Sequence, residues 1–179
     1  PRPQSCAMHL PVPPGARRAR AASHAPLNDP SRPPRPLRLG FLSSDLKQHS
    51  VASFVRPLLE HLDPALATPL LYMAGWVTDQ VTEALRGAAE RAGGSYRHVC
   101  ALSDADLART IKGDRVDVLV ELNGLTRDNR LGALRFAPAP VVVHWCGYPS
   151  TCGTNLLDYR VVDSITDPPG SAEGWLVEA

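Results

Sequence analysis

The stretch Asp117-Val-Leu-Val-Glu-Leu-Asn-Gly-Leu-Thr126 decides the fold class. A short, mostly aliphatic run closed by Asn-Gly has the pattern of a central strand covered on both faces of a parallel sheet. The run Val141-Val-Val-His-Trp145 repeats the pattern and leads into the loop Cys146-Gly-Tyr-Pro-Ser-Thr-Cys-Gly153. Upstream, Leu37-Arg-Leu-Gly-Phe-Leu-Ser43 reads as a first strand and Ser43-Ser44-Asp45 as the turn that follows it. Residues 50–62 read as a helix with Val51, Phe54, Val55, Leu58, Leu59 and Leu62 on its inner face. Pro57 kinks that helix if the first turn lies far upstream. Further strands are expected at 69–74, 96–99, 117–122, 139–145 and 159–162. Between them a helix runs from Thr78, its N-cap, to Arg91, with Val81, Leu85, Ala88 and Ala89 inward and Gly93-Gly94 closing it. A second runs from the cap Ser103-Asp-Ala-Asp106 to Lys112, and a short one spans 129–135. Strands alternating with helices at this pace give a parallel sheet with right-handed crossovers, hence an α/β fold.

In open sheets of this kind the ligand lies beyond the carboxyl ends of the strands. The first candidates for a site are therefore Asn123-Gly124-Leu125-Thr126 and Gly147-Tyr148-Pro149.

A chain of 179 residues with 44% hydrophobic content supports one full core, not two. No apolar run approaches the roughly 20 residues of a membrane span, and no signal peptide is visible. Starting at Pro1 and stopping after Gly-Trp-Leu-Val-Glu-Ala179 without a terminating turn, the chain reads as a piece of a longer polypeptide. Residues 1–36 carry six Arg against the single Asp29, a local +5 in a chain of net charge +1. Such a segment could be a transit peptide or a nucleic-acid contact, but its Pro density and lack of periodicity favour a disordered linker. The expected division is a Pro/Arg-rich linker over 1–36 and a folded lobe over 37–179. Cys6, Cys100, Cys146 and Cys152 show no C-x-x-C pairing, which favours reduced thiols in an intracellular protein over disulfides or zinc.

His49 stands at the entrance to the first helix, where an imidazole could act as a general base, orient a hydroxyl, bind a phosphate or simply cap the loop. Asp45 could pair with it or satisfy turn amides. Asp104-Ala-Asp106 is formally a metal-binding D-x-D, as in metal-dependent glycosyltransferases, but its position in a first helical turn favours capping. The remaining histidines lack ligand spacing, and His144 inside an apolar strand reads as a satisfied core residue. The absence of G-x-G-x-x-G after the first strand, of G-x-x-x-x-G-K-[ST] and of G-x-S-x-G removes the main support for dinucleotide, P-loop and serine-hydrolase readings. Asn123, Gly124, Thr126, Arg127, Arg130, Gly147 and Gly153 could present backbone and cations to a ligand or merely make turns.

Several motifs, in order, resemble one family. They are Leu37-Arg-Leu-Gly-Phe-Leu-Ser-Ser-Asp45, His49-Ser-Val-Ala52, Leu102-Ser-Asp-Ala-Asp-Leu-Ala108, Asp117 to Thr126, Asn129-Arg-Leu131, Pro138-Ala-Pro140, Trp145-Cys-Gly-Tyr-Pro149, Gly153 and Leu157-Asp-Tyr-Arg160. Together they resemble the catalytic region of the protein O-GlcNAc transferase and SPINDLY family, from about Asn28 onward.

The resemblance implies a Rossmann-like open parallel sheet with helices on both faces, forming the N-terminal lobe of a GT-B glycosyltransferase. Its activity would be transfer of N-acetylglucosamine from UDP-GlcNAc to protein Ser or Thr with inversion, or of fucose from GDP-fucose as in the SPINDLY branch. No metal or other cofactor is implied. His49 matches the family's active-site histidine, and Asn123, Gly124, Thr126, Gly147, Tyr148 and Pro149 match loops facing the cleft. The partners implied are a nucleotide-sugar donor, protein acceptors, a second catalytic lobe and upstream tetratricopeptide repeats, with neither membrane nor nucleic acid. Cytoplasm or nucleus is the implied location. The chain alone is expected to be inactive, and a non-catalytic α/β binding module is the alternative. Two departures stand out: Leu125 where the family commonly has Tyr or His, and Ser50 where some members have Pro.

Overall fold

The computed structural model describes residues 34–165 and 167–168, so the expected linker over 1–36 falls almost wholly outside the described residues. Strands β1 (Leu37–Ser43), β2 (Ala67–Met73), β3 (Ser95–His98), β4 (Val118–Glu121), β5 (Val141–Trp145) and β6 (Tyr159–Val161) form one sheet. Their order is β3-β2-β1-β4-β5-β6, and every pairing is parallel. This is the doubly wound, Rossmann-like order. The chain leaves β1 toward β2 in one direction and β4 toward β5 in the other, so the gap between the ends of β1 and β4 is the topological switch point.

Helices α1 (Ser50–His61) and α2 (Gln80–Arg91) cover one face, and α3 (Asp104–Gly113) and α4 (Leu131–Leu134) the other. Alternation along the strands assigns the two cores. Phe41, Leu71, Met73 and Leu122 pack with Val51, Val55, Leu59, Leu85, Ala88 and Ala89. Leu42, Leu70, Tyr72, Leu119 and Val142 pack with Leu107, Ile111, Ala133 and Leu134. Burying side chains of this size stabilises by roughly 1.5–3 kcal/mol each, which offsets the ordering entropy of both layers.

Several local expectations are corrected. The cap of α2 is Asp79, not Thr78: its carboxylate accepts from the amides of Val81 and Thr82 while Thr82 Oγ1 accepts from Asp79 N, a reciprocal box that Thr78 does not make. On α1, Phe54 and Leu58 are 57% and 37% exposed instead of inward. Phe54 meets Trp145 of β5 edge-on, with ring centroids 6.4 Å apart. Pro57 lies inside α1, past its first turn, and the helix continues to His61. The carbonyl that its missing N–H leaves unpaired belongs to the exposed Ser53 and can be hydrated. Strand β2 starts two residues earlier than expected and contains Pro69, whose carbonyl faces Gly94 ahead of β3. Its missing donor thus points where β3 has not yet begun to pair. The helix expected over 129–135 is a single turn, Leu131–Leu134.

Candidate functional site

The carboxyl ends of β1, β4 and β5 lie side by side, and the candidate residues sit on the loops that leave them. At the switch point Asn123 fastens β4 to β1. Its Oδ1 accepts from Ser44 N at 2.8 Å, and its Nδ2 lies 2.8 Å from Ser44 Oγ, 2.9 Å from Asp45 Oδ2 and 3.1 Å from Thr126 Oγ1. Asn123 is buried with its whole amide engaged, so it serves this edge by holding it in shape. Thr126 Oγ1 also donates to Asn123 O at 2.8 Å, closing the turn. Gly124 is buried at a φ of 58°, and a Cβ there would overlap Tyr148 Cβ. A Cβ on Gly147 would overlap the carbonyl oxygen of Leu122. Gly147 therefore packs onto the backbone at the end of β4 and Gly124 onto the Tyr148 side chain, and both approaches require glycine. Leu125, the departure from the family pattern, is 40% exposed beside them. Pro149 is exposed, and its carbonyl accepts from Arg160 Nη2 at 2.6 Å.

His49 is the N-cap of α1, with its Nδ1 accepting from Val51 N at 3.3 Å. An accepting Nδ1 is unprotonated, so in the neutral ring the proton resides on Nε2, which is left to donate outward. His49 is exposed at the same edge, four residues beyond Asp45. Asp45 is not hydrogen-bonded to His49: its carboxylate accepts from Asn123 and lies 3.9 Å from Lys47 Nζ.

Beneath these loops is a pair that the sequence reading passed over. Glu121 and His144 face each other in register on β4 and β5, 0% and 1% exposed. Glu121 Oε1 accepts from Asn123 N at 2.9 Å and Oε2 from Gly124 N at 2.8 Å, while His144 Nδ1 lies 3.0 Å from Oε2 and Nε2 3.0 Å from Tyr148 O. Burial works against a charged His144, but the hydrogen bond to Glu121 and the charge of Glu121 outweigh it and raise its pKa above the ordinary histidine value. The core reading of His144 fits its burial. What it missed is visible in the chain: Glu121 and His144 each interrupt an apolar strand three residues before a glycine, at Gly124 and Gly147. Neighbouring Cys146, at a φ of 55°, has its thiol pushed up to about 11 by burial and by the Glu121 charge.

The cations near the β4 loop divide. Arg130 is spent internally, donating to Asp104 Oδ1 at 2.8 Å and to the carbonyls of Leu102 and Val99. Arg127 is exposed. The D-x-D carboxylates are likewise engaged, Asp104 by Arg130 and Asp106 by Ser103 and Arg109 at the start of α3. Among the described residues no group of three His, Cys, Asp or Glu side chains is placed to hold a metal, and no helix is long and apolar enough to cross a membrane.

The chain is similar to several known proteins. The probable UDP-N-acetylglucosamine–peptide N-acetylglucosaminyltransferase SPINDLY of Arabidopsis thaliana is 36% identical over 146 residues, 82% of this chain and 16% of that protein. A UDP-N-acetylglucosamine–peptide N-acetylglucosaminyltransferase of Caenorhabditis elegans is 28% identical over 134 residues, 74% of this chain and 11% of that protein. Among solved structures, a mutant of the Thermobaculum terrenum O-GlcNAc transferase superposes with a TM-score of 0.73 at 34% identity, covering 79% of this chain and 26% of that one. The chain thus spans about a sixth of the length of its SPINDLY relative. Residues 19–176 match the family described as Glycosyl transferase family 41, and the chain belongs to that family.

Proposed function

We propose that this chain is the N-terminal catalytic lobe of a GT-B, nucleotide-sugar-dependent protein O-glycosyltransferase, which transfers N-acetylglucosamine from UDP-GlcNAc to Ser or Thr hydroxyls with inversion. The observation that carries the reading is the edge at the switch point, where three adjacent strand ends support closely packed loops and the loop after β1 carries an exposed histidine that caps α1 through Nδ1. Relatives whose printed names describe peptide N-acetylglucosaminyltransferases supply the reaction class. The second lobe, upstream tetratricopeptide repeats, protein acceptors and a cytoplasmic or nuclear location belong to the same proposal. So does a reaction without a resident metal, in keeping with the engagement of Asp104 and Asp106 by Ser103, Arg109 and Arg130.

In the reaction the acceptor oxygen attacks the anomeric carbon. A new C–O bond forms, and the bond to the diphosphate breaks with its electron pair leaving on the nucleotide. Two demands fall on this lobe: holding the acceptor in line and handling its proton. In the resting tautomer His49 meets the first by donating from Nε2 to an oxygen of acceptor or sugar. To accept the proton instead it must move its own to Nδ1 and give up the cap on Val51, at a cost of about 1 kcal/mol. In this reading Thr126, Tyr148 and the backbone at Gly147 and Pro149 would meet the substrate, with Asn123 and Gly124 holding their loops in place. The alternative donor, GDP-fucose, follows only from the resemblance to the SPINDLY branch, since the Arabidopsis SPINDLY and SEC proteins, at 36% and 26% identity, both carry names that describe N-acetylglucosaminyltransferases.

The test is transfer to protein, read by mass spectrometry, with either donor and the partner lobe supplied. His49→Asn is the decisive control, because asparagine keeps the helix cap and removes the imidazole. We expect kcat to fall about 100-fold with the melting temperature unchanged. Undiminished transfer removes His49 from the mechanism, and transfer from neither donor overturns the reading.

A further inference from the structure

We propose that Glu121 and His144 form a positioning couple, a buried carboxylate and imidazolium that lock the β4 and β5 loops into one rigid rim. The role assigned to that rim rests on the glycosyltransferase reading, but the couple is argued from geometry alone.

Every polar atom of the two side chains is directed at the other or at the loops. Glu121 takes the amides of Asn123 and Gly124 on its two oxygens, and His144 donates to the Tyr148 carbonyl. A continuous path therefore runs from Gly124 N–H through the carboxylate and the ring to Tyr148 C=O. The first end belongs to one loop, and the second to the other. A charged pair buried this deeply is poor value as a source of stability, since an apolar pair of similar volume would avoid the desolvation cost. Its use is directional: a carboxylate with two backbone donors and a ring with two acceptors fix where both loops stand.

The protonation state follows from the partners. His144 Nδ1 faces Glu121 Oε2 and Glu121 O, while Nε2 faces Tyr148 O. All three are acceptors, and a neutral imidazole donates from only one nitrogen. With Glu121 as a carboxylate, both ends of the path exist together only when the ring is doubly protonated; with the proton on Glu121 Oε2 instead, the carboxyl would donate to Nδ1 of a neutral ring. Among the described residues the other titratable groups at this position are Cys146, a neutral thiol, and Tyr148 and Cys152 against Gly124, with Asp45 beyond Asn123. None replaces the proton on His144.

The test has two arms. In the 15N-labelled chain at neutral pH, ring spectra of His144 should show protons on both nitrogens, and the Gly124 amide should exchange slowly. In Glu121→Gln the second ring proton should be lost and Gly124 exchange at least 10-fold faster. In the transfer assay with the partner lobe supplied, Glu121→Gln and His144→Phe should lower kcat/KM about 10- to 100-fold. The double variant Glu121→Met with His144→Leu separates positioning from stability: it should recover the melting temperature without recovering transfer or Gly124 protection. A neutral His144 ring in the wild-type protein overturns the proposal, as does wild-type transfer by the apolar double variant. If no transfer is seen even in the wild type, the enzymatic reading fails, while the ring spectra and amide exchange still decide the couple.

Discussion

The two edges of the sheet are both polar and are built on opposite plans. At the amino end, long side chains close on one another. Arg35 holds Asp117 through two bonds of 2.8 Å, Arg97 holds Asp114 through two of 2.7 Å, and Tyr72 Oη donates to Asp114 at 2.9 Å. At the carboxyl end, short side chains and glycines draw backbone segments together: Asn123 onto Ser44, Gly124 onto Tyr148, Gly147 onto Leu122. The first plan engages both carboxylates with arginines of the same edge. The second uses its lower layer for shape and leaves an upper layer in which His49 and Leu125 are exposed. An edge that closes the fold can be made of ion pairs, whereas an edge that receives a ligand needs backbone at close quarters and few long side chains in the way.

The largest effect expected to break this comparison is at Gly147. Gly147→Ala places a methyl group onto the Leu122 carbonyl, so either β4 or the loop must shift. We expect a loss of about 3 kcal/mol or more in denaturant unfolding, together with loss of transfer. An unchanged midpoint would mean that the loops are not held backbone to backbone.

A matched pair sharpens the comparison. Asn123→Ala leaves Ser44 N without its acceptor in a buried place and should cost about 2–3 kcal/mol, and transfer should fall further than that loss of stability explains. Asp117→Ala removes the acceptor of Arg38 N and the partner of Arg35, which is itself partly exposed, and should cost about 1–3 kcal/mol. Its effect on transfer should be nil once the protein is folded. If both variants change activity alike, the two edges do not have separate duties.

The layering of the molecule was legible in the chain because it depends on composition over several residues. All six strands were anticipated to within about two residues, since apolar runs bounded by Gly, Asn and Pro resemble little else. Details that depend on one competing contact were not. Thr78 and Asp79 are both good caps, and the choice between them follows from Thr82 being placed to complete the box. The inner face of α1 was drawn too wide because periodicity does not say where the cover ends: Phe54 and Leu58 stay exposed, and Phe54 meets the ring of Trp145 edge-on. In the site, the glycines and Asn123 stood out as turn chemistry. Glu121 and His144 did not, because their meaning lies in register. Only once β4 and β5 are paired does a carboxylate fall opposite an imidazole.

The smallest effect, and the most discriminating, concerns pH. The pKa of His144 is raised in the folded chain, so the native state keeps a proton that the unfolded chain releases near pH 6.5. Its contribution to stability is therefore complete below about pH 6.5 and is lost as the pH climbs through the higher folded value. Cys146 acts in the same direction in a later window, because its folded thiol titrates at about 11 while an unfolded one ionises near 8.5. Urea midpoints measured from pH 6 to pH 10 should decline in two stages. Cys146→Ser should flatten the later stage, and His144→Phe the earlier one. The amino edge provides the reference: Asp117→Ala should lower the whole profile without changing its slope. A profile whose early decline survives His144→Phe would place the titrating group elsewhere and return this histidine to the ordinary core.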